Sequence, residues 1–305
     1  MPVPVLSPHP KGSTVLAVVL PKGSLEKQVL DLFSSADLAV VRGSDRDYHA
    51  KIDDPRIAKV RFLRPQEIPT YVEQGIFDLG ISGRDWITET GADVISLGEI
   101  GGGRAGEAVV SVVLAVPKES PWTCAADLPD GVRISTEMPE TTRAFLAEHG
   151  VNAKVFTSHG ATEAKIPDIV DAIVDLTETG SSLRKAGLKI IDTLLTSRTE
   201  LIANRAAYED PIKRAAIDDI VVLLQGALRA KGHVLLKLNI ASDLLDAVLA
   251  VLPAMASPTV MATARTGMQA LETVVPKTGV NELIPALKAA GARDILELPI
   301  SKIVE

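Results

Sequence analysis

Residues 233–305 carry the arrangement of apolar segments that most restricts the fold. Val234–Leu238 reads as a strand. Ser242–Leu252 reads as a helix with Leu244, Leu245, Val248, Leu249 and Leu252 on one face. Val260–Ala264 and Met268–Val275 are strands around a turn at Arg265–Gly267. Asn281–Ala290 is a helix closed by Gly291, and Ile295–Leu298 is a last strand. The order β-α-β-β-α-β is the ferredoxin-like arrangement. It predicts a separate small module, suited to effector binding or assembly rather than to catalysis.

Upstream, strands alternate with helices, which implies an α/β architecture with largely parallel sheets. Val15–Leu20 is a strand, and Pro21-Lys22-Gly23-Ser24 opens a helix with Leu25, Val29, Leu32 and Phe33 on one face. Arg42–Arg56 is polar and reads as a loop or irregular ribbon. Strands follow at Lys59–Leu63 and Asp78–Ile81, with helices over Gln66–Gln74 and Arg84–Thr90. A second block starts at the apolar run Ala108–Val116. It contains strands at Arg133–Ser135, Lys154–Phe156 and Ile173–Leu176, a helix over Thr141–His149, and a helix near Ile166–Asp171. Further strands are expected at Lys189–Leu194 and Leu201–Asn204, and Asp210-Pro211 starts a helix that reaches Lys231. Gln74–Gly83 and Ile169–Gly180 echo each other as helix, Asp-containing strand and Gly-containing loop, which hints at two similar lobes facing a cleft.

Several function classes are disfavoured. The net charge of −7 argues against nucleic acid or an anionic membrane as the main partner. Cys124 is the sole cysteine, so no intrachain disulfide or thiolate metal cluster forms. No apolar run approaches the roughly 18–20 residues of a membrane span, so the chain reads as soluble and cytoplasmic, with Met1–Lys11 as a loose leader. His9, His49, His149, His159 and His233 lack metal-ligand spacing, and no Gly-x-Ser-x-Gly elbow occurs. Gly101-x-Gly103-x-x-Gly106 has dinucleotide spacing, but the residues after it read as a strand instead of the required helix, so a linker between lobes is the better account.

The chemistry-bearing stretch is Asp175–Leu183, Asp-Leu-Thr-Glu-Thr-Gly-Ser-Ser-Leu, between a buried strand and a short helical segment. Gly180 permits close backbone approach, and the hydroxyls of Thr179, Ser181 and Ser182 can donate to a phosphate. Asp175 and Glu178 suit a divalent cation or sugar hydroxyls. An ordinary strand-to-helix turn has the same residue types. Lys22-Gly23 and Ser82-Gly83-Arg84-Asp85 each follow a strand's carboxyl end, where open α/β sheets bind ligands, although by spacing alone a solvated lysine on a turn is the slightly better account of the first. Arg64 ends a strand and either meets a phosphate or lies on the surface. Glu163 is a metal or ribose contact, or a helix-start carboxylate.

Leu20-Pro21-Lys22-Gly23-Ser24-Leu25, Phe62–Pro69, Asp78–Asp85 and Asp171–Leu183 together resemble ATP phosphoribosyltransferase. Leu252-Pro253, Ser257–Val260, Ala289–Ala292 and Leu298–Ile300 resemble the regulatory domain of the family's long form. The resemblance implies two lobes like a type II periplasmic binding protein plus a ferredoxin-like (ACT-like) domain. Residues 1–107 with 193–225 would form lobe I, 108–192 lobe II and 226–305 the regulatory domain. It implies ATP and phosphoribosyl pyrophosphate as substrates, Mg²⁺ as cofactor, a homo-oligomer from dimer to hexamer, and inhibition by histidine.

Carried over by position, Asp175, Thr177, Glu178, Thr179, Gly180, Ser181 and Ser182 hold phosphoribosyl pyrophosphate. Lys22, Gly23, Arg64, Ser82 and Asp85 serve the nucleotide or pyrophosphate. Lys22, Arg64 and Glu163 are the implied catalytic residues, Glu163 and Asp175 the implied Mg²⁺ ligands, and Thr259 and Ala292 the implied histidine contacts. Ser24 stands where the family commonly has arginine, which leaves an anion contact to be supplied elsewhere, with Arg46 a candidate. Glu178 adds negative charge beside a phosphate, and Gly101–Glu107 lacks the aromatic and basic residues expected for adenine. Two other readings remain: a non-catalytic two-lobed ligand-binding protein with an effector domain, and a different anion-handling enzyme with such a domain.

Overall fold

The computed structural model describes residues 16–101, 109–253 and 258–304, so Ala108, Ser257, the leader and most of the glycine-rich segment lie outside it. The chain divides into two compact units, Met1–Asp31 with Leu38–Ile220, and Leu32–Asp37 with Val221–Glu305.

The first unit contains two sheets. In chain order its elements are β1 (Leu16–Pro21), α1 (Glu26–Ser35), β2 (Val40–Val41), β3 (His49–Ile52), β4 (Ile57–Leu63), α2 (Ile68–Glu73), β5 (Leu79–Gly83), α3 (Arg84–Thr90) and β6 (Val94–Glu99). Then follow β7 (Val110–Pro117), β8 (Arg133–Thr136), α4 (Pro139–Glu148), β9 (Lys154–Thr157), β10 (Ala172–Thr177), α5 (Ser181–Lys185), β11 (Leu188–Ser197), β12 (Thr199–Asn204), α6 (Arg205–Glu209) and α7 (Pro211–Ala230). Helices α1 and α7 each run on into residues of the second unit. The strand orders are β2-β3-β4-β1-β5-β12-β6 and β11-β7-β10-β8-β9.

The faint sequence echo is a repeat of topology. In the first sheet β1 runs parallel to β4 and β5, and β12 is antiparallel to β5. In the second, β8 runs parallel to β9 and β10, and β7 is antiparallel to β10. The turns after β5 and β10 therefore occupy equivalent places, each leading into a short helix. This is the two-lobed α/β architecture expected, and buried Val, Ile, Leu and Ala dominate both cores.

Several local expectations are corrected. The polar stretch 42–56 contains β3, whose alternating exposure (His49 out, Ala50 in, Lys51 out, Ile52 in) suits a strand paired with β4. Strand β6, unforeseen, pairs with β12. The helix expected near 166–171 is absent; a 3₁₀ turn over Thr162–Lys165 precedes it, and Pro167 biases Ile166 away from helical geometry. The strand expected over 189–194 continues to Ser197 and pairs with β7 in the second sheet, with irregularities at Ile191 and Leu194. Asp210 does cap α7, its side chain accepting the N–H groups of Ile212 and Lys213 at 2.8 and 3.1 Å.

The second unit is built on β13 (His233–Ala241), α8 (Leu245–Leu249), β14 (Thr259–Ala262), β15 (Met268–Pro276), α9 (Val280–Ala289) and β16 (Arg293–Pro299). The sheet order is β14-β15-β13-β16, every neighbouring pair antiparallel, which is the ferredoxin-like topology. One face buries Leu236, Leu238, Ile240, Leu271 and Val275 against Val248, Val280 and Leu287. The expected 242–252 helix is broken, with Ser242–Leu244 forming a 3₁₀ turn and Leu244 exposed. Among the described residues no helix is long and apolar enough to cross a membrane.

Candidate active site

At the carboxyl end of β1 the backbone turns through Gly23, whose φ of +105° is open to glycine. The Lys22 N–H is held by the Leu63 carbonyl at the end of β4 (2.7 Å), which sets the two strand ends side by side. The exposed Arg64 guanidinium reaches this turn, with Nη1 3.7 Å from where a Gly23 Cβ would stand. Lys22 Nζ donates to Glu26 Oε1 (3.3 Å) and to the Asp45 carbonyl. Arg42 Nη2 lies 2.6 Å from the same Glu26 oxygen, and both cations lie over the Phe62 ring. Burial disfavours the Glu26 charge, but Arg42, the Gly23 N–H and Lys22 outweigh it and hold the carboxyl below its ordinary range. Three cations thus gather at one corner, two of them on the partly buried carboxylate of Glu26. The cation that shares Glu26 with Lys22 is Arg42, which the sequence did not single out.

After β5 the expected nucleotide residues turn inward. Ser82 is fully buried and donates to the Pro65 carbonyl (3.0 Å), which supports the Arg64-Pro65 turn. Asp85 is also buried, with Oδ1 accepting from Ser197 Oγ at 2.7 Å. A Cβ on Gly83 would lie 2.0 Å from that same oxygen, so glycine is required there. Burial pushes the Asp85 carboxyl up, against hydrogen bonds from Ser197 and the Trp86 backbone. Both side chains are thus engaged in internal hydrogen bonds. Arg84 turns away into a bidentate pair with Glu200 (2.6 and 2.8 Å), whose carboxylate also accepts from Ser96.

The equivalent turn after β10 is the hydroxyl-rich one. Thr177 Oγ1 accepts the Gly180 N–H (2.8 Å), and Thr179 Oγ1 the Ser181 N–H (3.4 Å), so two threonines brace the loop from within. Gly180 has φ +68°, and a Cβ there would crowd Arg184 Nη1 and Ile190 Cδ1, each at 3.0 Å. Glu178, Thr179, Ser181 and Ser182 are exposed, and so is Arg184, a cation that sequence reading missed although it stands one turn beyond Gly180. Asp175 is half-buried. Burial pushes its carboxyl up, the Leu176 N–H opposes this, and the Glu163 and Glu137 charges reinforce it. The charges of Glu163 and of Glu137, which lies in the loop after β8 and was unforeseen, thus both act on Asp175.

Nearby, Lys165 Nζ donates to Ser158 Oγ (2.5 Å) and Ser135 Oγ (3.2 Å), tying the 3₁₀ turn that carries Glu163 to β8 and to the residue that follows β9. In the second unit Thr259 and Ala292 do not come together. Thr259 is exposed on the edge strand β14. Ala292 is buried just before β16, at the other edge, about 14 Å away by three strand spacings.

Comparison with known proteins identifies the family. Residues 64–226 match the family model described as ATP phosphoribosyltransferase, and residues 230–302 the model described as HisG, C-terminal domain. The ATP phosphoribosyltransferase of Solibacter usitatus is 47% identical over 290 residues, 95% of this chain and 99% of that protein. That of Desulforudis audaxviator is 46% identical over 291 residues, with the same coverage. Among solved structures, the ATP phosphoribosyl transferase (HisG:HisZ) complex from Thermotoga maritima superposes with a TM-score of 0.59 at 27% identity, over 69% of this chain and 97% of that one. With its two-sheet unit, its hydroxyl-rich turn and its relatives along nearly the whole length, the chain belongs to the ATP phosphoribosyltransferase family.

Proposed function

We propose that this chain joins N1 of the adenine of ATP to the anomeric carbon of phosphoribosyl pyrophosphate. The products are N1-(5-phosphoribosyl)-ATP and pyrophosphate, the first step of histidine biosynthesis. The N1 lone pair forms the new C–N bond while the bond from carbon to the pyrophosphate oxygen breaks and its electron pair departs with pyrophosphate. Since N1 already has a free lone pair, no dedicated base is needed; the demand is for positioning and for charge stabilisation.

The observation that carries the reading is the braced turn after β10, which presents three exposed hydroxyls beside Arg184. Thr179, Ser181 and Ser182 hold the ribose 5-phosphate, and Asp175 accepts from ribose hydroxyls. Lys22, Gly23, Arg64 and Arg42 face the departing pyrophosphate or the triphosphate.

Among the described residues no three His, Cys, Asp or Glu side chains are grouped to hold a metal. Glu163 and Asp175 nonetheless fit Mg²⁺, which commonly takes one or two carboxylates together with substrate phosphates. When bound there it supplies charge neutralisation for the leaving group. The rest of the reading is a homo-oligomer inhibited by histidine through the second unit, with Thr259 as a contact.

Mixing the protein with ATP, phosphoribosyl pyrophosphate and Mg²⁺ should change ultraviolet absorbance as adenine is alkylated at N1. No product dependent on both substrates would refute the activity. Thr259→Arg should raise the half-inhibiting histidine concentration about tenfold, which corresponds to ~1.4 kcal/mol. Unchanged inhibition would move the effector site away from this strand.

A further inference from the structure

Glu26 occupies the place of an anion. Its carboxylate receives Lys22 Nζ (3.3 Å) and Arg42 Nη2 (2.6 Å) on one oxygen and the Gly23 N–H (3.3 Å) on the other. An ammonium, a guanidinium and a backbone amide on a glycine with φ +105° make up a donor set for an oxyanion. The corner also holds more positive charge than Glu26 uses. Arg42 Nη1 is buried without a partner, and Arg64 has no acid partner among the described residues. Asp45 touches Arg42 from outside at 3.1 Å, with its side chain almost wholly exposed.

We infer that Glu26 is a built-in counter-ion of this corner: it holds Lys22 and Arg42 in position while the site is empty and competes with a phosphate or pyrophosphate oxyanion for the same donors. The inference rests on the reading of the corner as the pyrophosphate or triphosphate side of the site. A fixed internal carboxylate spares the cations from burial without a partner, at the expense of affinity for the incoming anion. It thereby also speeds release of the pyrophosphate product.

The test is calorimetric titration of inorganic pyrophosphate into the intact protein. Glu26→Gln should bind pyrophosphate about three- to tenfold more tightly than the parent, the change expected for removing one partly buried competing charge. Its product inhibition by pyrophosphate should strengthen in proportion. Arg42→Met should bind it more weakly. Glu26→Ala gives the same reading if the glutamine variant does not fold. Unchanged or weaker binding in the Glu26 variants would overturn the proposal, and a weakening seen only with Mg²⁺ would overturn it in favour of a metal ligand. Pyrophosphate binding is measured without turnover, so an absent ATP-dependent product would count against the activity and leave this result standing.

Discussion

Glu89 Oε2 accepts the backbone N–H of Thr141 at 2.8 Å, and its other oxygen accepts that of Glu140 at 3.0 Å. The start of α4 in the second lobe is therefore capped by a side chain from α3 of the first. Met138, at the N-cap position, has no side-chain cap of its own. Trp86, also on α3, packs among Val112, Leu114 and Ile134 of the second lobe's core. Glu89→Ala should lower stability by about 1 kcal/mol, the usual worth of a helix cap. Chemical denaturation would check this, and an unchanged midpoint would show that water replaces the cap.

Asp85 also joins the lobes, through Ser197. Its carboxyl is pushed up by burial, so the native state keeps the proton to a higher pH than the unfolded chain does. Its contribution is fully favourable below the ordinary carboxylate value of 3.8 and is lost as pH rises through the raised native value. Asp85→Asn, which can still accept from Ser197, should melt higher than the parent at pH 7, on the order of 2 °C, with the difference vanishing toward pH 4. A constant difference across that range would contradict the assignment.

Arg84 is the only ion-pair partner of the buried Glu200 among the described residues. Arg84→Met would leave that carboxylate with Ser96 alone and should cost about 3 kcal/mol. The double variant with Glu200→Gln should recover much of the loss, measured by denaturant unfolding of all three proteins.

In the second-lobe turn, Thr179→Val with Ser182→Ala removes two hydroxyls that the proposed reading assigns to the ribose 5-phosphate. Hydrogen bonds to a charged group are worth about 1.5–3 kcal/mol each, so KM for phosphoribosyl pyrophosphate should rise about 100-fold or more. KM for ATP should move far less. Equal effects on both substrates would place the phosphate elsewhere.

The sequence alone determined the features that rest on local chemistry. Periodicity located β1, β5, β10 and the β-α-β-β-α-β order of the second unit. Asp210-Pro211 marked the start of α7, and the Thr-Gly-Ser-Ser run marked the hydroxyl turn. The tertiary structure decided which groups face a ligand and which face the core. Ser82 and Asp85 carry site-like chemistry but point inward because Pro65 and Ser197, distant in sequence, supply their partners. Arg42 reaches the Lys22 corner, and Thr259 separates from Ala292, because strand order, not spacing along the chain, sets distance, whereas Arg184 meets Gly180 through the single helical turn between them. Local pattern selects elements through backbone preference and burial, whereas the direction of a polar side chain depends on long-range partners that no sequence window contains.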